Sequence, residues 1–192
     1  TLKRPEDNFI NLRNFIDEEQ KILLAHRTDI NNYFSDNNFN IDLSYNIIQK
    51  TLQNIPKFFK NLKQSNLHSC IIHYDYSDKN FIFDKNSHVK ALIDFDDAQY
   101  SNVIFDLGNL CLHWAIVDHK LSLERFNIIY KNLDQKIPRY LLIDSITYVL
   151  IERIVYMIKL KQQGKKDINL YCSLASLLRK LINISSYDKS IF

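Results

Sequence analysis

The first third of the chain has polar residues with apolar positions spaced as in helices. Between residues 6 and 34 this spacing predicts one long helix or two short ones. Residues 35–40 are rich in Asp and Asn, which favour turns, so a loop is expected there. A second helical face follows and ends near Gln64, and Pro56 is expected to kink this helix or begin a new one. The apolar positions of that face are Ile48, Leu52, Ile55, Phe59 and Leu62.

The middle of the chain changes to short apolar runs, which are typical of strands. One run covers Ser69 to His73. Two more, Asn80 to Phe83 and Val89 to Asp94, flank the polar residues 84–87. This pattern predicts a strand, a loop and a β-hairpin.

After Asp106 the helical spacing returns and continues to the last part of the chain. Gly164, which two lysines follow, predicts a turn between the final two helices. The overall pattern predicts an α+β fold that is mostly α-helical, in a single domain spanning residues 1–192. The apolar positions that define the last two helices are Ile143, Ile146, Leu150, Ile154 and Met157, and then Leu170, Leu174, Leu177 and Leu181.

Composition narrows the class of protein. A chain of 192 residues with 46% hydrophobic side chains can bury one substantial core. Its 25 basic and 22 acidic side chains are scattered, so nucleic acid is not an expected partner. The 3 cysteines lie far apart, which favours a reducing, cytoplasmic setting and argues against a zinc site. The longest apolar run is broken by Asp144, Glu152 and Arg153, so no membrane span is expected.

Candidate chemistry follows the first predicted strand, in the sequence His-Tyr-Asp-Tyr-Ser-Asp-Lys-Asn that begins at His73. Phosphoryl transfer needs a carboxylate that orients and deprotonates the attacking hydroxyl, and oxygen ligands that hold magnesium against the phosphates. A single loop supplies both kinds of group, with Asp75 as the carboxylate and Asn80 as an oxygen ligand for magnesium. Asp94, at the end of the hairpin, is then the main candidate magnesium ligand. An isolated D-x-x-x-x-N also occurs in polar surface turns, but this strand context favours a kinase-type site.

The motif H-x-D-x-x-x-x-N, followed by I-D-F-D-x-A and then F-D-L-G-N, resembles the aminoglycoside phosphotransferase and choline kinase family. The resemblance is specific between about Cys70 and Trp114. It implies the helix-rich C-terminal lobe of a protein-kinase-like fold, in which a small β-hairpin carries the catalytic loop. It also implies ATP as the phosphoryl donor, Mg²⁺ as the cofactor and a small-molecule acceptor.

The resemblance assigns roles to five residues. Asp75 would be the catalytic base, and two side chains would bind magnesium, while two more would brace the catalytic loop. The magnesium ligands are Asn80 and Asp94, and the bracing residues are His73 and Asp106.

Other residues have open interpretations. Asp96 is a candidate contact for the acceptor or for a second magnesium, or part of a solvated loop. Trp114 either walls an acceptor pocket by a cation–π contact or is a core aromatic. Choline kinases usually carry an acidic residue where this chain has His113, which argues against an ammonium-bearing acceptor. Glu152 and Arg153, inside an apolar helix, are expected to form a structural ion pair rather than a clamp on the substrate.

A kinase of this kind also needs a Gly-rich hairpin over the phosphates and a strand lysine. The chain has only 2 glycines, and its first part predicts helices rather than strands. We therefore expect the N-terminal nucleotide-binding lobe to be missing. The chain would then be a fragment, which Thr1 in place of Met favours, or be completed by a partner, or be a degenerate kinase.

The sequence therefore predicts an ATP- and Mg²⁺-dependent phosphotransferase that acts on a hydroxyl group of a small molecule. The acceptor would be of the choline or ethanolamine, homoserine or aminoglycoside type. This chain would be the catalytic and acceptor-binding lobe. The alternative is a non-catalytic, kinase-like binding or regulatory module.

Overall fold

The computed structural model describes residues 41–134, 136–162 and 168–185. The predicted helical region 6–34, the loop 35–40 and the turn at Gly164 lie outside these residues. The helices are α1 (Ile41–Gln64), α2 (Val103–Trp114), α3 (Leu123–Lys131), α4 (Arg139–Gln162) and α5 (Ile168–Ser185). The strands are β1 (Ser69–Ile72), β2 (Phe81–Phe83), β3 (Val89–Leu92), β4 (Gln99–Asn102), β5 (Ile116–Val117) and β6 (Lys120–Leu121).

The described residues form a mixed fold of long helices and small antiparallel sheets, compatible with the predicted α+β class. The helical patterns around Ile146 and Leu177 are confirmed as α4 and α5. None of the described helices is both long and apolar enough to cross a membrane.

The predicted β-hairpin is confirmed. β2 and β3 pair antiparallel, with Phe81 opposite Leu92, and the predicted strand after Leu67 is β1. β1 pairs with β4, which places Ser69 opposite Asn102. The sequence did not reveal β4, because its residues Gln-Tyr-Ser-Asn have no apolar run and are ordered by pairing with β1. β5 and β6 form a third short ladder that was not predicted either.

Of the two outcomes expected at Pro56, the start of a new helix is wrong, since α1 is a single helix that contains this proline. A proline inside a helix costs about 3 kcal/mol because one backbone hydrogen bond is lost. Buried apolar side chains on both sides of Pro56 contribute more than this when they pack against the rest of the core. They are Leu52, Ile55, Phe58, Phe59 and Leu62.

The core lies between α1, α2 and α4, where aromatic rings from the three helices meet. The Tyr148 ring of α4 lies 5.8 Å from Phe58 of α1 and 5.1 Å from Phe105 of α2, measured between ring centroids. α2 and α4 approach closely at Gly108. A Cβ at this position would lie 2.6 Å from the hydroxyl oxygen of the fully buried Ser145. The core therefore fixes α2 at a short distance from α4, and both helices extend under the loop that follows β1.

Candidate active site

The loop after β1 begins at His73, which is buried and hydrogen-bonded through both ring nitrogens. Its Nε2 lies 2.9 Å from the carbonyl oxygen of Ile93, and its Nδ1 lies 3.3 Å from the backbone nitrogen of Asp75. A carbonyl only accepts and a backbone N–H only donates, so the ring carries its proton on Nε2 and is neutral. His73 thus connects the loop to the end of the hairpin.

One face of α2 holds the loop backbone in place. Asp106 accepts a hydrogen bond from the Tyr74 N–H at 2.9 Å and another from the Tyr76 hydroxyl at 2.8 Å. Asn109, fully buried and one helical turn further on, donates to the Tyr74 carbonyl and accepts from the Tyr76 N–H, both at 2.9 Å. These bonds satisfy backbone groups on both sides of Asp75. No role was predicted for Asn109, although its spacing of three from Asp106 is the signal that places both residues on one face of the helix.

Tyr74 links the loop to α4. Its backbone has a φ of 64°, a left-handed conformation that is uncommon for a bulky residue. Its hydroxyl donates to the buried carboxyl of Glu152, whose other oxygen accepts from the Tyr148 hydroxyl at 3.0 Å. Burial raises the pKa of Glu152, and the two tyrosine hydroxyls and the nearby Arg153 partly oppose this shift. The expected ion pair between Glu152 and Arg153 is therefore replaced by separate contacts, because the two side chains extend to different partners.

The two oxygens of Asp75 face different parts of the protein. The Asn80 side-chain nitrogen donates to Asp75 Oδ2 at 2.9 Å and to the Asp75 carbonyl at 3.0 Å. Asn80 is itself buried, at the end of a 3₁₀ turn. Because its amide nitrogen is used by Asp75, its amide oxygen is the atom left to bind a metal.

Asp94 follows β3 and lies beside the same loop. Its neighbour Ile93 donates its N–H to the Asn80 carbonyl at 2.9 Å and accepts from His73. Asp94 has a φ of 64° and is exposed, so its carboxylate is accessible to a ligand. An amide oxygen and a carboxylate are hard donors of the kind that magnesium prefers, so these residues fit the ion. In the described part of the chain, no group of three or more His, Cys, Asp or Glu side chains is arranged to hold a metal.

Asp75 Oδ1 faces α2 and α4 instead. His113 Nε2 lies 3.7 Å from it, and Arg153 Nη2 lies 3.5 Å from it. Burial lowers the pKa of His113 to about 4, with a further lowering by Arg153 that Asp75 partly opposes. The ring is therefore neutral at neutral pH.

Lys180 of α5 completes this group of basic side chains. It is partly buried, and burial together with the charge of Arg153 lowers its pKa. Lys180 also contributes to the lowered pKa of His113. The electrostatic surroundings of Asp75 Oδ1 thus include basic side chains from three helices. The sequence marked neither Lys180 nor a contact between Arg153 and Asp75, because no local motif surrounds them.

The two candidate acceptor residues occupy different positions. The Trp114 side-chain nitrogen donates to the Tyr76 carbonyl at 2.8 Å, and its ring packs edge-on against Phe81 at 5.4 Å. Trp114 thus has a structural contact with both the loop and the hairpin. Asp96 lies in an exposed turn between Phe95 and Ala98, and its side chain forms no hydrogen bond or ion pair within the described residues.

A family model described as the phosphotransferase enzyme family (APH) matches residues 18–142. The match covers more than half of the sequence. The chain belongs to this phosphotransferase family. That membership is consistent with the resemblance to aminoglycoside phosphotransferases and choline kinases. No curated protein matches the chain.

The family match includes only part of the site. The loop, the hairpin and α2 lie within residues 18–142. Glu152 and Arg153 of α4 and Lys180 of α5 lie beyond its end. Membership in the phosphotransferase family supports kinase-type activity in general.

Proposed function

We propose that this chain is the catalytic and acceptor-binding lobe of an ATP- and Mg²⁺-dependent phosphotransferase acting on a hydroxyl group of a small molecule. The observation that carries the proposal is the position of Asp75. Its Oδ2 is held by Asn80, which leaves Oδ1 to accept a proton. The family membership and the hydrogen bonds that order the loop support the same activity.

In the proposed reaction, Asp75 Oδ1 accepts the proton of the acceptor hydroxyl as the hydroxyl oxygen attacks the terminal phosphorus of ATP. The new bond joins that oxygen to phosphorus, and the bond to the bridging oxygen breaks, which releases ADP. Asn80 fixes the Asp75 carboxylate by donating to Oδ2, and His73 orders the Asp75 backbone. Asn80 and Asp94 would hold magnesium, which when bound neutralises charge on the phosphates.

The N-terminal nucleotide-binding lobe, which the kinase-like fold requires, would come from residues or a partner other than those described. The proposal assigns no nucleotide contact to the described helices. It places the protein in the cytoplasm, where ATP and Mg²⁺ are abundant.

The decisive experiment uses the full-length natural protein with ATP, Mg²⁺ and a panel of choline, ethanolamine, homoserine and aminoglycosides. We expect acceptor-dependent ADP release that falls by about 100-fold or more in Asp75→Asn, since general-base catalysis contributes about 10²–10⁴ in rate. Asp94→Ala should lose activity together with the response to Mg²⁺. Asp134→Asn, an exposed carboxylate remote from the loop in sequence, is the matched control and should retain activity.

Two results would contradict the proposal. Full activity in Asp75→Asn would exclude this residue as the base. An absence of both turnover and Mg·ATP binding in the full-length protein would favour the non-catalytic binding or regulatory module.

A further inference from the structure

We propose that the acceptor carries an anionic group, a carboxylate or a phosphate, which binds between Arg153 and Lys180 beside His113. This inference rests on the proposed phosphotransferase function, and it names the class of acceptor for the same site.

The direction from which the acceptor approaches follows from the surroundings of the two Asp75 carboxylate oxygens. Asn80 donates to Oδ2 from the hairpin side, at 2.9 Å. A hydroxyl that gives its proton to Asp75 therefore approaches Oδ1, which faces α2 and α4. The remainder of the acceptor then extends toward the side chains of those helices.

The side chains on that face are basic and come from three helices. Arg153 Nη2 is 3.5 Å from Asp75 Oδ1, and the Arg153 side chain is 34% exposed. Lys180 is close enough to Arg153 and His113 to interact electrostatically with both. Within the described residues, no carboxylate forms an ion pair with Lys180. Two cations that repel each other in a partly buried site favour an anion between them.

The acidic residues nearby do not balance these charges. Asp75 lies 3.5 Å from Arg153, and within the described residues no ion pair joins it to Lys180. Asp78 influences His113 but is exposed. Glu152 is close enough to Arg153 for the pKa of Glu152 to be lowered by it, but both Glu152 oxygens accept hydrogen bonds from tyrosine hydroxyls, and within the described residues neither forms an ion pair with a basic side chain.

His113 adds a hydrogen-bonding atom that is unsatisfied within the described residues. Its Nε2 is buried and has no hydrogen-bond partner there. Buried polar atoms in native proteins nearly always have partners, so a ligand oxygen at this position would satisfy it. Since the ring is neutral, it contributes a hydrogen bond and the two cations contribute the charge.

A cationic acceptor would meet the opposite situation. A quaternary or primary ammonium placed on this face would be repelled by Arg153 and Lys180. Repulsion of the wrong ligand contributes to specificity just as attraction of the right one does. The face therefore discriminates between acceptors by the sign of their charge.

The test compares acceptors that differ in one group. With the full-length natural protein, ATP and Mg²⁺, glycerate and glycerol 3-phosphate are each compared with glycerol, and choline serves as the cationic acceptor. We expect at least one anionic acceptor to have a kcat/KM about tenfold or more above that of glycerol, with choline the poorest. Glycerate and glycerol 3-phosphate also distinguish a carboxylate from a phosphate.

Variants assign this preference to residues. Arg153→Gln and Lys180→Gln should each raise KM for the preferred anion about tenfold or more, change kcat less, and raise KM for glycerol by a much smaller factor. Arg153→Lys, which keeps the charge, should recover most of the affinity. Arg125→Gln and Lys131→Gln remove exposed cations from α3 and are the matched controls. Thermal unfolding checks that each variant is folded.

A binding measurement separates this inference from the proposed function. Calorimetric titration with glycerate and glycerol 3-phosphate requires no turnover. Anion binding that is lost in Arg153→Gln would support the inference even if no acceptor is phosphorylated. Turnover that is equal for glycerol and both anions, or highest for choline, would overturn the inference and leave the phosphotransferase intact. An absence of both anion binding and turnover would overturn both.

Discussion

The hairpin side and the helix side of Asp75 are built in different ways. On the hairpin side, Asn80 and Asp94 are placed by backbone contacts, since Ile93 is bonded to both Asn80 and His73. On the helix side, His113 and Arg153 are placed by the packing of α2 against α4. The hairpin side offers oxygen atoms, whereas the helix side offers nitrogen atoms and positive charge.

The difference indicates that the two sides of the Asp75 carboxylate have separate roles, with the proposed metal ligands on the hairpin side and the proposed acceptor contacts on the helix side. Local backbone geometry places the proposed magnesium ligands Asn80 and Asp94, because these residues are near one another in sequence. The acceptor side depends on helices that meet only in the folded core. Changes to core packing should therefore alter the acceptor side first, and changes to the loop should alter both sides.

The largest effect is expected for Asn109→Leu, which removes the contact common to both sides. It leaves the Tyr74 carbonyl and the Tyr76 N–H without their partner, at a cost of about 1–3 kcal/mol for each buried group. We expect a loss of about 3 kcal/mol in the free energy of unfolding, measured with urea, and a loss of both Mg²⁺ response and acceptor affinity. Asn132→Leu, at the exposed end of α3, is the control. Retention of normal stability would show that Asn109 does not hold the loop.

A change in pH should act on the helix side through His113. Its pKa is about 4 in the folded protein against an ordinary value of 6.5, so between these values the unfolded chain binds a proton that the folded chain does not. Stability from this residue is therefore present above pH 6.5 and is lost as the pH falls toward 4, by on the order of 3 kcal/mol over the whole range and about 2 kcal/mol between pH 7 and pH 5. Urea unfolding at pH 7 and pH 5 should show this loss in the wild type and a smaller one in His113→Asn.

His88 provides the matched control for that experiment, because it lies on the hairpin with a side chain that is 77% exposed. His88→Asn should keep the pH dependence of the wild type. Equal curves for the wild type and His113→Asn would mean that His113 is not buried as described.

A substitution at the α2–α4 contact should separate the two sides. Gly108→Ala introduces a Cβ 2.6 Å from Ser145 Oγ and 2.9 Å from the Ser145 backbone carbon, so the helices must move apart. Overpacking costs about 1–3 kcal/mol, and the better helix propensity of alanine offsets about 1 kcal/mol of this. We expect a net loss of about 1–2 kcal/mol in thermal unfolding and a higher acceptor KM. The apparent Mg²⁺ affinity should stay unchanged. A fall in this affinity would argue against separate roles for the hairpin side and the helix side.

The smallest effect is expected for Trp114→Phe. Phenylalanine keeps the packing against Phe81 and loses the hydrogen bond to the Tyr76 carbonyl, which contributes about 1 kcal/mol. Urea unfolding should show this small loss, and the order of preference among acceptors should not change. A changed preference would instead indicate that the indole ring walls the acceptor pocket.

The sequence predicted the hairpin side better than the helix side for a physical reason. His73, Asp75, Asn80 and Asp94 lie within one short segment, where spacing and strand pattern carry the information. Arg153 meets Asp75 across 78 residues, so its partner depends on how α4 packs rather than on its neighbours in sequence. The same limit explains the incorrect ion pair between Glu152 and Arg153, which adjacency suggested and packing replaced.

The fold, like the site, was predicted in part. Apolar spacing was sufficient for α1, α4, α5 and the hairpin, because each buries a regular face. It was insufficient for β4, which is polar and ordered by its partner strand. It also left open whether a new helix begins at Pro56, where tertiary packing keeps α1 continuous against the local preference of proline.

The bond between Tyr74 and Glu152 has a consequence for the order in which the chain folds. The two residues are 78 positions apart, so the loop emerges from the ribosome long before the side chain that holds the Tyr74 hydroxyl. Closing a loop of this length costs entropy, which the docking of α4 must offset. A chain truncated after residue 142, where the family match ends, would also lack these contacts. It would retain the whole recognisable motif but lose Glu152 and Arg153. A nascent or truncated chain therefore carries the motif without the contacts from α4 that complete its surroundings.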